Sequence, residues 1–296
     1  MPLWHYYTKL LYKNNMIKPI IMLVTFATCW YALTSKFPVD TYLQWMRHFL
    51  LEVNSYFYLV LFTDAAGEKI LRDHFAPYYF NNPNIKIVQK PIEQWYNYKY
   101  KTHWETNHTK NSALNNRTEW KLNMLWAEKT HFVNEARLQQ YFPQTEFYGW
   151  CDIGYFREGP CPNFCSPAKI QALNKNKIYY ACVDQRQFQS LQEIVLNKNA
   201  QGLPVNPIPS NQNSIAGGFF IAHYSKIAGW NKRFDDKLAL YFQNNYLVKD
   251  DQIIIVDCIL SEPNRFEIIQ EPDPRQNAWF YFRRYLSVGE TPPQRT

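Results

Sequence analysis

The sequence predicts an α/β protein with a mostly parallel central sheet and helices on both faces, folded as a single domain. Three observations carry this prediction. Apolar strand-like runs alternate with amphipathic helical runs, an order that gives parallel strands with right-handed crossovers. Two of the strand-like runs end in a carboxylate, Asp64 and Asp152, at the position where α/β enzymes bind ligands. Hydrophobic residues make up 46% of the 296 residues, which is enough for a large core.

The individual elements follow from apolar spacing and from turn residues. Strands are predicted at 20–28, 56–63, 85–89, 146–155, 177–183, 214–222 and 266–270. Helices are predicted at 38–51, 68–75, 113–141, 187–198, 225–245 and 253–260. The polar aromatic stretch 94–109 is interpreted as a surface loop or irregular helix, most often a mobile lid, and 201–213 as a loop.

The two ends of the chain are set apart from the core. Residues 1–18 are predicted to be an N-terminal extension, 19–272 the domain, and 273–296 an aromatic and basic docking tail with a disordered tip. The apolar run 19–33 is too short to cross a bilayer comfortably, which takes ~20 apolar residues. A buried strand and a cytoplasmic location without a transmembrane span are therefore expected, with a secretory-lumen anchor through 1–33 as the alternative.

Composition limits the classes of partner. The formal net charge of +7 is spread along the chain, so a small phosphate-bearing ligand suits it as well as nucleic acid does. The six cysteines do not follow the pattern of a disulfide scaffold or a zinc site. They are interpreted as free thiols in a reducing compartment, with Cys161 and Cys165 close enough in sequence for one local bridge.

The strand around Asp152 is the centre of the prediction. Only nine residues are glycine, and three of them, Gly149, Gly154 and Gly159, surround this strand. Glycine is most useful where backbone bends sharply or approaches a ligand. A carboxylate at such a strand end can hold a divalent metal that bridges two phosphates. An ordinary strand-end turn at Asp152 and Gly154 is the alternative.

Six segments occur in an order and spacing similar to a known family: TFATCW, LVLFTD, EWKLNMLWAE, WCDIGYFREG, AGGFFIAH and DDQIIIVD. With them the chain resembles the HtrL/YibB-like glycosyltransferases, which are related to enzymes of the GT-A fold. The resemblance covers about residues 19–270. It implies a GT-A-like, Rossmann-like fold and an enzyme that moves a sugar from a nucleotide-diphosphate-sugar donor, such as a UDP-sugar, to a hydroxyl of a glycan or glycoprotein.

The same resemblance implies a set of donor-binding residues. Thr25 and Ala27 would hold the base and ribose, and Thr63 with Asp64 would close that pocket. Lys121 would reach a donor phosphate or sugar from the long helix.

The metal expectation also comes from the resemblance. Asp152 would stand where the Asp-x-Asp motif holds Mn²⁺ or Mg²⁺ in related enzymes. Neither Trp150 nor Gly154 supplies the second carboxylate, so metal dependence is uncertain on the sequence alone, and Arg157 or Lys121 could replace part of the metal's role. His223 is a weaker candidate for metal or phosphate contact, against a purely structural histidine.

On the acceptor side, Gly217 and Gly218 would form a shelf and Trp230 would stack on a sugar face. Asp251 would be the base that takes the acceptor's hydroxyl proton, and Asp250 would cap the helix that begins there.

Two other classes of function remain open from the residues. One is a catalytically inactive sugar- or nucleotide-binding protein of the same fold, consistent with the incomplete metal motif. The other is a nucleic-acid-binding module, suggested only by the charge and by the stretch 94–109, and nucleic acid is not the expected partner.

Overall fold

The computed structural model describes residues 22–53, 56–75, 81–161 and 163–287. The strands within these ranges are β1 Val24–Trp30, β2 Phe57–Thr63, β3 Ile85–Gln89, β4 Phe147–Cys151, β5 Ile178–Cys182, β6 Phe219–His223 and β7 Phe266–Gln270. They form one seven-stranded sheet in the order β3-β2-β1-β4-β6-β5-β7. β6 is antiparallel to both of its neighbours, and the other pairings are parallel. The predicted α/β class is confirmed.

Helices cover both faces of this sheet. They are α1 Val39–Glu52, α2 Ala65–His74, α3 Lys101–Lys110, α4 Trp120–Gln139, α5 Pro167–Gln171, α6 Gln185–Leu196, α7 Tyr224–Gln243, α8 Asp251–Ser261 and α9 Tyr281–Tyr285. Side chains of α3, α4, α6, α7 and α8 join the core on one face, and those of α1, α2, α5 and α9 the core on the other.

Local sequence explains where several helices begin. In α1 the buried Leu43, Met46 and Leu50 are three and four residues apart, which places them on one stripe of the helix. α2 begins at Asp64, whose carboxylate accepts a hydrogen bond from the backbone N–H of Gly67 at 2.7 Å. α6 begins in the same way at Asp184.

The long helix α4 begins later than predicted. It starts at Trp120 rather than at residue 113, because the preceding residues form turns in which the Asn111 side chain donates to the Lys249 carbonyl at 2.9 Å. The helix ends at Gln140, whose φ of 48° lies in the left-handed region, just before the predicted stop at Pro143.

The stretch 94–109, for which a mobile lid was the favoured interpretation, is helical and packed against the core. It folds into two short 3₁₀ turns and α3, and the buried Glu128 of α4 holds its start by accepting from the backbone N–H groups of Tyr96 and Asn97 at 2.7 and 3.0 Å. The irregular-helix interpretation was therefore the correct one. Trp104 of α3 is buried against the core.

The direction of β6 decides where the site lies. The predicted strand 214–222 is shorter, and it runs opposite to its neighbours, so the residues before it lie at the edge where the parallel strands end. The backbone N–H of Asp152 donates to the Gly218 carbonyl at 2.8 Å across this edge. Asp152 and the two consecutive glycines are thereby brought together.

The predicted tail packs against the domain as far as it is described. Phe282 and Leu286 are buried, and Arg284 donates to Glu271 from its Nε at 2.8 Å. The expectations for residues 1–18, for the first two residues of the predicted first strand and for the tip of the tail fall outside the described residues. In the described part of the chain, no helix has the length and apolar character needed to cross a membrane.

All six cysteines are free thiols, as predicted, and the local bridge that the spacing of Cys161 and Cys165 would allow is not formed. The Sγ of Cys161 instead lies 3.2 Å from the Arg283 carbonyl and 3.2 Å from the Ser287 hydroxyl. Cys165 is buried in the core below α1.

Candidate active site

A cavity of about 590 Å³, called here the main cleft, opens at the carboxyl edge of the parallel strands, beside the end of β4 and the start of β6. Three carboxylates line it: Asp152, which follows β4, and Asp250 and Asp251 at the start of α8. A smaller side pocket of about 90 Å³ shares Asp152 and Arg157 with the main cleft and extends to the end of β1. Both cavities lie where α/β sheets bind their ligands.

One buried lysine joins two of these carboxylates. The Nζ of Lys129, in α4, lies 3.1 Å from Asp152 Oδ1 and 3.0 Å from Asp251 Oδ2, and it donates to the Gly217 carbonyl at 2.8 Å. The Lys129 side chain is only 7% exposed. Burial by itself lowers the pKa of Lys129, but the two carboxylates outweigh it and raise the pKa above the ordinary lysine value. Lys129 is therefore a fixed positive charge in the floor of the cleft.

The two consecutive glycines make room for the carboxylates. A Cβ on Gly217 would lie 2.8 Å from Asp251 Oδ2, and a Cβ on Gly218 would lie 3.0 Å from Asp152 Oδ2. Any larger residue would push the carboxylates away from Lys129. Both glycines also line the main cleft, as the expectation of a ligand shelf requires.

Asp251 has the environment of a group that can exchange a proton near neutral pH. Its pKa is raised to about 6, because burial and the neighbouring Asp250 raise it by more than Lys129 lowers it. A carboxylate with such a pKa is suited to general base catalysis.

Asp250 does not cap α8 with its side chain, contrary to the expectation. It occupies the N-cap position without a side-chain capping hydrogen bond, and its Oδ2 lies 3.0 Å from the Nζ of Lys249. Its Oδ1 is buried and has no hydrogen-bond partner within the described ranges. An oxygen of this kind in the wall of a cleft is available to a ligand donor.

The metal expected from the resemblance does not fit this donor set. Asp152 Oδ1 already accepts from the indole N–H of Trp150 at 2.6 Å and contacts Lys129. Mn²⁺ and Mg²⁺ prefer several oxygen ligands, whereas an ammonium group stands between the two carboxylates. Among the described residues, no group of three or more His, Cys, Asp or Glu side chains could hold a metal ion.

Four of the predicted donor-binding residues do not line either cavity. Thr25 lies near the amino end of β1, where its hydroxyl bonds that of Thr145 at 2.9 Å, and Ala27 is fully buried within the same strand. The hydroxyl of Thr63 donates to the Trp30 carbonyl, and Asp64 caps α2. The structure therefore separates these four residues from both cavities, and the hydroxyls of Thr25 and Thr63 are bonded inside the fold.

Three further expectations are corrected by the structure. Lys121 lies outside both cavities with its Nζ 3.9 Å from Glu119, and the lysine of α4 that lines the main cleft is Lys129. Trp230 is 2% exposed and donates to the Tyr180 hydroxyl, so it cannot stack on a sugar.

His223 pairs with Phe147 at the opposite end of β4, about 16 Å along the strand from Asp152. His223 and Asp152 therefore cannot share a metal.

Arg157 does lie at the site. Its Nε donates to the Gly154 carbonyl at 3.2 Å, and its guanidinium packs 4.2 Å from the ring centre of Trp45 and 5.1 Å from that of Phe280. The cleft thus combines Arg157, Asp152, Asp251 and the glycine pair from the expected set with Lys129, which sequence reasoning missed. The available clue was the adjacent acid and base Glu128 and Lys129, which follow the apolar residues 124–127 of α4.

These features define an α/β protein with a charged ligand cleft at the carboxyl edge of its sheet. Residues 29–287 match the model of the family described as "Bacterial protein of unknown function (HtrL_YibB)", and the chain belongs to this family. No curated protein matches the sequence. Among solved structures, the chain is similar to the crystal structure of the galactosyltransferase LgtC in complex with donor and acceptor sugar analogues. The identity is 9% and the TM-score 0.45, with 90% of this chain and 84% of that chain covered.

Proposed function

We propose that this protein is a glycosyltransferase that moves a sugar from a nucleotide-diphosphate-sugar donor to a hydroxyl group of a glycan or glycoprotein. The observation that carries the proposal is the arrangement of Asp152 and Asp251 around Lys129 in the floor of the main cleft. The cleft volume of about 590 Å³ suits a ligand of nucleotide-sugar size. The sequence resemblance to GT-A-like transferases supports the same assignment.

Each charged group has a distinct role in this proposal. Asp251 accepts the proton of the acceptor hydroxyl as the acceptor oxygen attacks the anomeric carbon. The bond from that carbon to the diphosphate breaks, and the nucleoside diphosphate leaves with the bonding electron pair. Asp152 accepts hydrogen bonds from donor hydroxyls through Oδ2, while Trp150 fixes Oδ1. Lys129 stays protonated and holds both carboxylates in place.

The first prediction is that Asp152→Ala abolishes transfer and leaves the fold intact. The Asp152 side chain is 41% exposed, and Lys129 keeps its contact with Asp251 in the variant, so little stability should be lost. Transfer is measured as nucleoside diphosphate released from a panel of nucleotide sugars with glycan acceptors, and folding by thermal melting. Asp236→Ala is the control, because it removes one acidic charge at an exposed position of α7.

Full transfer by folded Asp152→Ala would remove this strand end from the mechanism. Thermal shift measurements separate the other classes of function. A shift with nucleotide sugars but no turnover by the native protein would favour an inactive binding protein, and a shift with single-stranded DNA alone would contradict the proposal.

A further inference from the structure

Three basic side chains of the main cleft have no carboxylate partner among the residues that the structure describes. They are Lys36, just after β1, Arg117, before α4, and Arg157, just after β4. The other two basic residues of the cleft are both paired, Lys129 with Asp152 and Asp251, and Lys249 with Asp250. Positive charge without an acidic partner in a concave site indicates an anionic ligand.

Two of these cations are positioned by aromatic rings. The Nζ of Lys36 lies 4.9 Å from the ring centre of Trp126, and the guanidinium of Arg157 packs against Trp45 and Phe280. The only side-chain hydrogen bond of Arg157 within the described ranges uses Nε. Its two terminal nitrogens therefore remain able to bind a phosphate in the paired geometry that guanidinium groups favour.

The charge of the cleft matches a diphosphate. Five basic and three acidic side chains line it, so its formal net charge is +2. In a nucleotide sugar each of the two phosphoryl groups carries one negative charge near neutral pH, because both are esterified and lack the second ionisation of a terminal phosphate. Burial in the cleft lowers the pKa of Lys36, and the nearby cations Lys249 and Arg117 lower it further, against the opposite effect of Asp250 and Asp251. An anion between these cations would relieve their mutual repulsion.

We infer, on the basis of the proposed function, that Lys36, Arg117 and Arg157 hold the diphosphate of the donor and that donor binding needs no divalent cation. The three cations neutralise the leaving nucleoside diphosphate, a role that the resemblance assigned to Mn²⁺ or Mg²⁺. The resemblance suggested Arg157 or Lys121 as a partial replacement for the metal. Lys36 and Arg117 are two further cations from other segments of the cleft, and with them donor binding needs no metal. These cations also explain why a second carboxylate near Asp152 is not required.

The test uses isothermal titration calorimetry to measure how tightly the purified protein binds UDP and inorganic pyrophosphate. Each ligand is titrated once in the presence of EDTA and once in the presence of Mn²⁺. We expect the dissociation constants in EDTA to lie within about threefold of those in Mn²⁺. Arg157→Met, and separately the double variant Lys36→Met with Arg117→Met, should weaken binding by roughly 10-fold to 100-fold in EDTA, as expected for lost charge-assisted hydrogen bonds.

Lys232→Met is the matched control, because it also removes one positive charge, at an exposed position of α7. Binding that requires Mn²⁺, or unchanged binding in the variants, would overturn the inference and leave the proposed function standing. If Arg157→Met fails to fold by circular dichroism, the double variant decides, since neither Lys36 nor Arg117 belongs to the hydrophobic core. A protein that binds neither probe with or without Mn²⁺ would contradict the inference and the proposed function together.

Discussion

Helix α8 carries two buried aspartates that are both paired with lysine, and they differ in what surrounds them. Asp257 is fully buried, and its environment is closed. It lies 2.7 Å from Lys198 Nζ and 3.1 Å from Lys237 Nζ, and it accepts from the hydroxyls of Tyr241 and Ser261 at 2.8 Å each. The fold itself satisfies both of its oxygens.

Asp251, at the start of the same helix, belongs to an open cluster. It shares Lys129 with Asp152, whose side chain is 41% exposed to the main cleft, and its neighbour Asp250 has a buried oxygen without a partner among the described residues. Buried charge alone therefore does not mark a functional site, because both clusters have it. The feature that distinguishes the two clusters is a buried oxygen beside a cavity whose hydrogen bonding the described residues do not complete.

The largest effect expected from this comparison is on transfer by Asp251→Asn. Asparagine has nearly the same shape as aspartate, and Lys129 keeps Asp152 as its counter-ion in the variant, but the amide cannot take a proton at neutral pH. We expect the transfer rate to fall roughly 10²-fold to 10⁴-fold, with donor binding retained and a melting temperature within a few degrees of the native protein. Rates and donor affinity are measured separately to distinguish these effects.

Asp236→Asn, on the exposed side of α7, is the control for a lost carboxylate. A transfer rate of Asp251→Asn within a factor of two of the native protein would exclude the base role. The search for a base would then move to Asp250 or to the donor's own phosphate, as in retaining mechanisms.

The closed cluster around Asp257 should give the opposite result, a loss of stability with the transfer rate retained. Asp257→Asn leaves two lysines beside a neutral amide, and breaking a buried ion pair in this way costs several kcal/mol. Since Lys198 and Lys237 are 24% and 15% exposed, we expect the free energy of unfolding to fall by about 3 kcal/mol, at the low end of that range. Urea unfolding measures it. An unchanged stability, or a lost transfer rate in protein that is still folded, would show that the two clusters do not differ as described.

Much of the site could be located from the sequence because its residues lie at element boundaries. Asp152 follows an apolar strand, the glycine pair precedes one, and Asp251 begins an apolar helix, so turn and capping residues marked each position. The strands and most helices were found in the same way, from runs of apolar residues whose period is unambiguous.

The missed residues share a different physical cause. The sequence does not reveal that β6 is antiparallel, and this reversal puts His223 and the start of α7 with Trp230 at the edge opposite the cleft. Lys121 and Lys129 are eight residues apart on α4, which separates them by about 80° around the helix axis. They are also about 12 Å apart along the axis, and because α4 is buried on several sides its apolar pattern does not indicate which of the two lies at the cleft.

The smallest expected effect is on pH dependence, which reports on the protonation of Asp251. Burial raises the pKa of this carboxyl from its ordinary value to about 6, so only about a tenth of the molecules carry the ionised base at pH 5. If Asp251 is the base, kcat/KM should rise about tenfold between pH 5 and pH 7 and then level off. The profile is measured at constant ionic strength with an acceptor that does not itself titrate in this range.

Stability should change in the other direction over the same interval. An acid whose pKa is raised by folding binds its proton more tightly in the folded state. Its contribution to stability is therefore complete below the pKa of the unfolded chain, near 3.9, and is lost as the pH rises through the folded-state pKa of about 6. Asp251→Asn should remove both this loss of stability and the rise in kcat/KM, because the amide does not titrate. Asp257→Asn should retain the rise. A native profile that is flat from pH 5 to pH 7, or a rise that persists in Asp251→Asn, would assign the proton transfer to a group other than Asp251.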